Sequence, residues 1–197
     1  ADTIVTTGKK GTWTVLDVET APMRRSPRAP FTTSTLQQSA SSRLGYSPSR
    51  TMRIAQKLYE QGLITYMRTD STNLAAQAVA QIATHVKKEF GDKYLETRTY
   101  STKSKNAQEA HEAVRPTDIR VARAGSTEEE QRLYELIHAR TVSSQMADAV
   151  LSRTRITLGT AGVPDFVANG STVSFDGWLR ADTRAKGEEV VLPVVTK

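Results

Sequence analysis

A phenol and a guanidinium stand two residues apart in "GLITYMRTDS", residues 62–71. In an extended chain, side chains alternate, so Tyr66 and Arg68 would share a face. A phenol ionises near pH 10, and a cation on the same face favours its charged form. The same cation would stabilise charge building on a phosphate under attack. The pair therefore suits a tyrosine nucleophile acting on a phosphodiester. The competing reading is a half-buried aromatic with its hydroxyl in water. Ser71 reads as a cap for the helix that follows, and Asp70 either as a second cap or as a holder for Arg68.

Two other stretches could carry chemistry. "AQEAHEAVRPTD" contains His111-Glu112, but the second histidine of a zinc-binding His-Glu-x-x-His motif would fall at 115, where the chain has Arg115. Three histidines and no cysteine make a zinc site a poor expectation. His111 instead reads as a proton donor or phosphate ligand and Arg115 as a second phosphate contact, against a capping or core role for the histidine. "APFTTSTLQQ" crowds hydroxyls and amides before a helix. Helix N-termini attract anions, so Ser34 and Thr35 can hold a phosphate or simply cap the helix.

The elements that must position these residues follow from periodicity. "GTWTVLDVETA" alternates and reads as a strand, and "PMRRSPRAP" as a stiff basic linker that breaks regular structure. Four helices are expected in the middle. "STLQQSASSRLG" carries a Leu36, Ala40, Leu44 stripe between a Ser34 cap and Gly45. "SPSRTMRIAQKLYEQG" has Ser47 as cap, Pro48 in the first turn and Gly62 as stop, with Met52, Ala55, Leu58 and Tyr59 inward. "LAAQAVAQIATHVKKEFG" aligns Val79, Ile82, Val86 and Phe90. "STEEEQRLYELIHARTVSSQMADA" has a Ser126/Glu129 capping box and Leu133, Leu136 and Ile137 inward. "LITYM" is too short for a helix and reads as extended, and "NAQEAHEAV" as a short helical stretch. Strands return in "LSRTRITL", in a hairpin turning at Asn169-Gly170, and in an edge strand "EEVVLPVV".

Strands at both ends and helices between them predict an α+β, multidomain fold. A helical domain over residues 30–149 would be inserted into a β-rich domain made of 1–29 and 150–197. The 197 residues are 38% hydrophobic and 24% charged, a globular balance. The formal net charge of +6 and the arginines Arg24, Arg25, Arg28, Arg43, Arg50, Arg53 and Arg68 favour a polyanionic partner. The absence of cysteine excludes disulfides and thiolate chemistry. No apolar run is long enough to span a membrane, and "ADTIVTTGKK" lacks the apolar region of a signal peptide, so a cytoplasmic protein is expected.

Taken together, "PFTTSTLQQSASSRLGYS", "AQKLYEQGLITYMRTDSTNL", "QEAHEAVRPTD" and "FDGW" resemble the bacterial type IA DNA topoisomerases in order and approximate spacing, from about Trp13 to Val195. The resemblance implies relaxation of negatively supercoiled DNA without ATP, through a 5′-phosphotyrosine intermediate, strand passage and religation. Tyr66 takes the nucleophile's place, Arg68 that of the arginine that positions the scissile phosphate, and His111 that of a histidine near the DNA. Ser34, Thr35, Thr65, Thr69, Asp70 and Arg115 fall among the expected DNA contacts, the substrate being a single-stranded region of DNA in a nucleoid-associated enzyme. The fold implied is a helical domain with the tyrosine, inserted in a β domain that arches over a central hole.

The family's Mg²⁺ is held by an N-terminal Toprim domain with an Asp-x-Asp-x-Glu cluster. This chain has no Asp-x-Asp, and Asp17-Val18-Glu19 is only part of such a pattern. The sequence thus reads as a piece of a larger enzyme, expected to be inactive by itself, with no metal ligands of its own. Two other classes compete: a single-stranded DNA-binding module in which Tyr66 stacks on a base, and a tyrosine recombinase or type IB enzyme. The latter use scattered arginines and a 3′ linkage, and their motifs are not found here.

Overall fold

The computed structural model describes residues 2–100 and 112–196. Its order is α1 (Asp2–Lys10), β1 (Thr14–Arg25), α2 (Thr33–Leu44), α3 (Pro48–Glu60), α4 (Ala76–Phe90), α5 (Glu128–Ser143), β2 (Ala149–Gly159) and β3 (Phe166–Phe175). The fold is mixed helix and sheet. The chain divides into two compact units. One comprises Ala1–Arg25, Asp148–Asp176 and Lys186–Lys197, and the other Ser26–Ala147 and Gly177–Ala185.

The first unit is an antiparallel sheet in the order β1-β2-β3. β1 runs on through Pro22 to Arg25, where the sequence suggested an irregular linker. β1 is the sheet's edge, so the missing proline N–H need cost no ladder bond. The expected hairpin at Asn169-Gly170 is also displaced. β3 passes straight through that dipeptide, and the turn lies before it, with Gly162 at φ 81°. Gly170 serves another purpose. A Cβ there would sit 2.7 Å from the Leu192 side chain and 2.9 Å from the Val190 carbonyl. It lets the last segment lie against the sheet, where Ser171 and Val190 exchange backbone bonds of 2.9 and 3.0 Å. That exchange is a single bridge rather than the strand expected of "EEVVLPVV". Helix α1, which periodicity did not reveal, is tied to Trp13, whose indole N–H donates to the Gly8 carbonyl at 2.8 Å. Trp13 in turn meets Phe166 edge to face.

The second unit buries the larger core. Phe31, Leu36, Ala40, Ile54, Leu58, Ile64, Met67, Val114, Leu133, Tyr134 and Ile137 meet between α2, α3 and α5. Local signals end these helices, with two shifts. α2 is capped two residues earlier than Ser34 implies. Its cap is Thr32, which forms a capping box with Thr35, and it closes on Gly45 at φ 69°. α5 is capped by Thr127, not Ser126, with the Glu130 N–H donating to the Thr127 hydroxyl. The Glu130 carboxylate then takes the Ser126 N–H at 2.8 Å. α3 caps at Ser47, as expected. Its inward face is Thr51, Ile54, Ala55 and Leu58, so Tyr59 is left outside. In α4 the buried stripe is Ala78, Ile82 and Val86, one position round from Val79. "FDGW" leaves the sheet: Trp178 and Leu179 are buried in the helical unit, and the Trp178 N–H donates to the Ala147 carbonyl. No helix among the described residues is long and apolar enough to cross a membrane.

Two outcomes follow from this packing. Gly170→Val should destabilise the sheet unit by about 1–3 kcal/mol by overpacking, read as a lower urea midpoint, with faster hydrogen exchange at Val190. His85 and His138 rings lie 5.8 Å apart, and burial lowers both pKa values. The unfolded chain therefore binds more protons in acid, and the stability contributed by the neutral rings is lost as pH falls below about 6.5. Thermal melts between pH 7.5 and 5 should show this loss, and His138→Gln should reduce it.

Candidate active site

The Tyr66 segment has no continuous strand partner. It is fastened on both sides by separate hydrogen bonds. Downstream, the start of α2 grips it. The Thr33 N–H donates to the Thr69 carbonyl at 2.9 Å, and the Thr33 hydroxyl donates to the Met67 carbonyl at 2.7 Å while accepting the Thr69 N–H at 2.8 Å. Upstream, residues 113–117 grip it. The Thr65 N–H donates to the Arg115 carbonyl at 2.9 Å, and the Thr117 N–H donates to the Leu63 carbonyl at 3.0 Å. The Thr65 hydroxyl donates to the Ala113 carbonyl at 2.7 Å and accepts the Arg115 N–H at 2.9 Å. Tyr66 lies between the two grips.

Held this way, the chain alternates. Met67, Thr69 and Ser71 are buried, and Tyr66, Arg68 and Asp70 face out. Tyr66 keeps 47% of its surface exposed. Its ring rests edge-on against Tyr59, with centroids 5.3 Å apart. The Gly62 turn, at φ 71°, brings the segment back beside the end of α3 and so makes this contact. Among the described residues Arg68 forms no ion pair, with Asp70 or any other carboxylate. Its guanidinium is open to an external anion.

The remaining expected contacts divide. Ser34 and Asp70 are exposed beside this surface. Thr69 is buried and Thr65 half-buried, and their hydroxyls hold backbone groups, the Thr69 hydroxyl accepting the Ser71 N–H. Thr35 spends its hydroxyl on the Thr32 N–H, 2.9 Å away. Ser71 does not cap α4. It closes a turn by accepting the Asn73 N–H at 3.1 Å, and α4 starts at Ala75 with no side-chain cap of its own. Arg115 is held by Glu112 in two bonds of 2.6 and 2.9 Å and donates to the Pro116 carbonyl. It braces the upstream grip rather than offering an open fork. His111 and most of "NAQEAHEAV" lie outside the described residues.

Three participants escaped the sequence reading. Thr33 carries no motif signal. Glu112 was read only as part of a failed zinc pattern, yet its carboxylate both fixes Arg115 and accepts the Ala75 N–H at 2.8 Å. Tyr59 was assigned to the core face. The seven-residue span to Tyr66 across a glycine turn was the available hint. Among the described residues no group of three or more histidine, cysteine or acidic side chains converges as a metal site, and no step below passes through a metal ion.

Thr33→Val keeps the shape but removes both hydroxyl bonds. It should cost about 1–3 kcal/mol in urea unfolding and accelerate exchange of the Thr69 amide; unchanged exchange would remove the downstream grip from the account.

Comparison with known proteins places the chain in a family. The family model described as DNA topoisomerase matches residues 1–197. DNA topoisomerase 1 of Streptomyces coelicolor is 49% identical over 85% of this chain and 18% of its own length. That of Synechocystis is 46% identical over 95% of this chain and 22% of its own, and that of Escherichia coli 44% over 92% and 21%. The structure of full-length topoisomerase I from Thermotoga maritima superposes with a TM-score of 0.80 at 33% identity, covering 94% of this chain and 31% of that one. The chain thus spans about a fifth of the length of the bacterial enzymes it matches in sequence. By the full-length family match and these relatives, this chain belongs to the DNA topoisomerase family.

Proposed function

We propose that this chain is the nucleophile-bearing part of a type IA topoisomerase that relaxes negatively supercoiled DNA. The observation that carries the reading is the outward pair Tyr66 and Arg68 on a segment fastened at both ends. In the reaction, the Tyr66 phenol oxygen attacks the phosphorus of a backbone phosphodiester in a single-stranded region. The new bond joins tyrosine to the 5′ phosphate. The bond from phosphorus to the 3′ oxygen breaks, and that oxygen leaves with a proton. After strand passage the 3′ hydroxyl attacks the phosphotyrosine and restores the strand. One ester replaces another at each step, so no nucleotide triphosphate is consumed. Arg68 stabilises the charge on the phosphoryl oxygens during attack. The Tyr59 ring and the two grips limit where the phenol can point, which favours attack over misplacement. His111 serves near the leaving oxygen or the phosphate, as the family resemblance implies. Mg²⁺ in this reading belongs to the acidic cluster of a Toprim domain of the same enzyme.

In a full-length enzyme carrying this sequence, Tyr66→Phe should abolish the covalent DNA adduct and leave non-covalent binding within about threefold. An adduct that persists would take the nucleophile's role from Tyr66. Arg68→Ala should lower cleavage by about 10²- to 10³-fold while changing affinity far less. Isolation of a 5′-phosphotyrosyl peptide separates this reading from a 3′-linked enzyme and from a module in which Tyr59 and Tyr66 only stack on bases. The 197-residue chain alone should not relax supercoiled plasmid; relaxation by it would show that the metal chemistry has been wrongly placed outside it.

A further inference from the structure

Helix α5 carries a cation that its own surroundings do not neutralise. Arg140 is 5% exposed, yet among the described residues no carboxylate lies within 4.0 Å of its guanidinium. One arm donates to the Ala29 carbonyl at 3.3 Å, and the fork lies 4.3 Å over the Phe31 ring. Asp182, the acid whose charge acts on it, already accepts hydrogen bonds from Arg43 with both oxygens, at 2.8 and 2.9 Å. Burial chiefly, and then the like charge of Arg43, push the Arg140 pKa down to about 10 although the Asp182 carboxylate partly offsets them, so it is still a cation at neutral pH. A buried cation without a counter-ion is costly unless an anion completes it.

The surroundings suit such an anion. Arg140 lines a groove of about 400 Å³ together with Arg28, Thr35, Gln38, Ser39 and Ser42. Arg28 is exposed at its edge and can swing onto a ligand. From α2, the Gln38 amide and the Ser39 hydroxyl line this space as neutral donors, while the Thr35 hydroxyl is held by Thr32 and the Ser42 hydroxyl donates to the Ser39 carbonyl at 3.3 Å. No acidic side chain lines it. A planar fork, a second arginine and neutral donors match the oxygens of a phosphate group.

We propose that this groove is a phosphate site separate from Tyr66 and Arg68, and that its occupant is a backbone phosphodiester of single-stranded DNA. The second half rests on the topoisomerase reading. The site would hold a strand on the unit that carries the nucleophile, one contact away from the α2 start that grips the tyrosine segment. It gives a reason for leaving Arg140 unpaired, which a purely structural arginine would not need.

Binding of fluorescent oligothymidylate to the 197-residue chain, measured by anisotropy over a salt series, tests the inference. Arg28→Glu, at an exposed position, should weaken binding about tenfold near 50 mM salt and flatten the salt slope by about 0.7 per lost phosphate contact. Arg132→Glu, equally exposed on α5 but away from the groove, should change affinity by less than threefold. Equal losses in both variants would mean diffuse electrostatics and would overturn the site. In parallel, inorganic phosphate should raise the melting temperature above that in chloride at matched ionic strength. Arg140→Met, which removes the unpaired charge, should keep or raise the basal melting temperature and abolish the phosphate increment. A retained increment would assign Arg140 a structural role only. Phosphate stabilisation without oligothymidylate binding would overturn the backbone assignment in favour of a free phosphate. None of these outcomes bears on the Tyr66 adduct, so failure of the groove and failure of the topoisomerase reading are distinguishable.

Discussion

An extended segment outside a sheet must still pair its backbone groups, and the whole tyrosine-bearing surface depends on how this one does so. Buried N–H and carbonyl groups that go unpaired are costly. Thr33 solves the problem on one side with its backbone and its hydroxyl together, and Thr65 solves it on the other. Because both sets of bonds reach the same short stretch, the alternation of side chains has no freedom to slip. Met67 enters the core, and Tyr66 and Arg68 are turned outward as a consequence.

The core and the site are therefore one construction. Phe31, Ile64, Met67 and Val114 are all fully or almost fully buried, and each sits on a segment that contributes to a grip. Packing fixes where these segments lie, and the hydrogen bonds fix their register. Arginines are distributed on the same principle. Arg43 and Arg115 are locked by Asp182 and Glu112 and hold elements together. Among the described residues no carboxylate binds Arg68, which faces outward, or Arg140, which is buried. Among the described residues, the arginines that bind no carboxylate thus include an outward one beside the tyrosine and a buried one on α5.

Much of the helical unit was legible in the sequence because its signals are local. Ser47-Pro48, Gly45, Gly62 and Gly91 mark ends by backbone chemistry that needs no distant partner. The errors arose where a distant partner decided. Asn169-Gly170 has the composition of a turn, but β2 pairs across it, and the glycine instead accommodates residues 190–192. Pro22 has the composition of a breaker, but an edge strand tolerates it. Ser126 and Ser34 were displaced as caps by neighbouring threonines, a shift of one or two residues that composition alone does not resolve.

Family membership and the candidate pair Tyr66 and Arg68 were legible in the sequence itself, because they reside in residue type and spacing: a tyrosine two residues before an arginine, and motifs in a recognisable order. What only the tertiary structure decided is which polar groups are left over for a ligand. Thr65, Thr69, Thr35 and Arg115 have the right chemistry for phosphate, yet the fold commits them to backbone groups and to Glu112. Arg140 reads as one more arginine on an amphipathic helix, yet the fold buries it over the Phe31 ring with no carboxylate of the described residues bound to it. Whether a donor is free depends on what the rest of the chain brings within about 3 Å of it. Spacing along the chain does not contain that information.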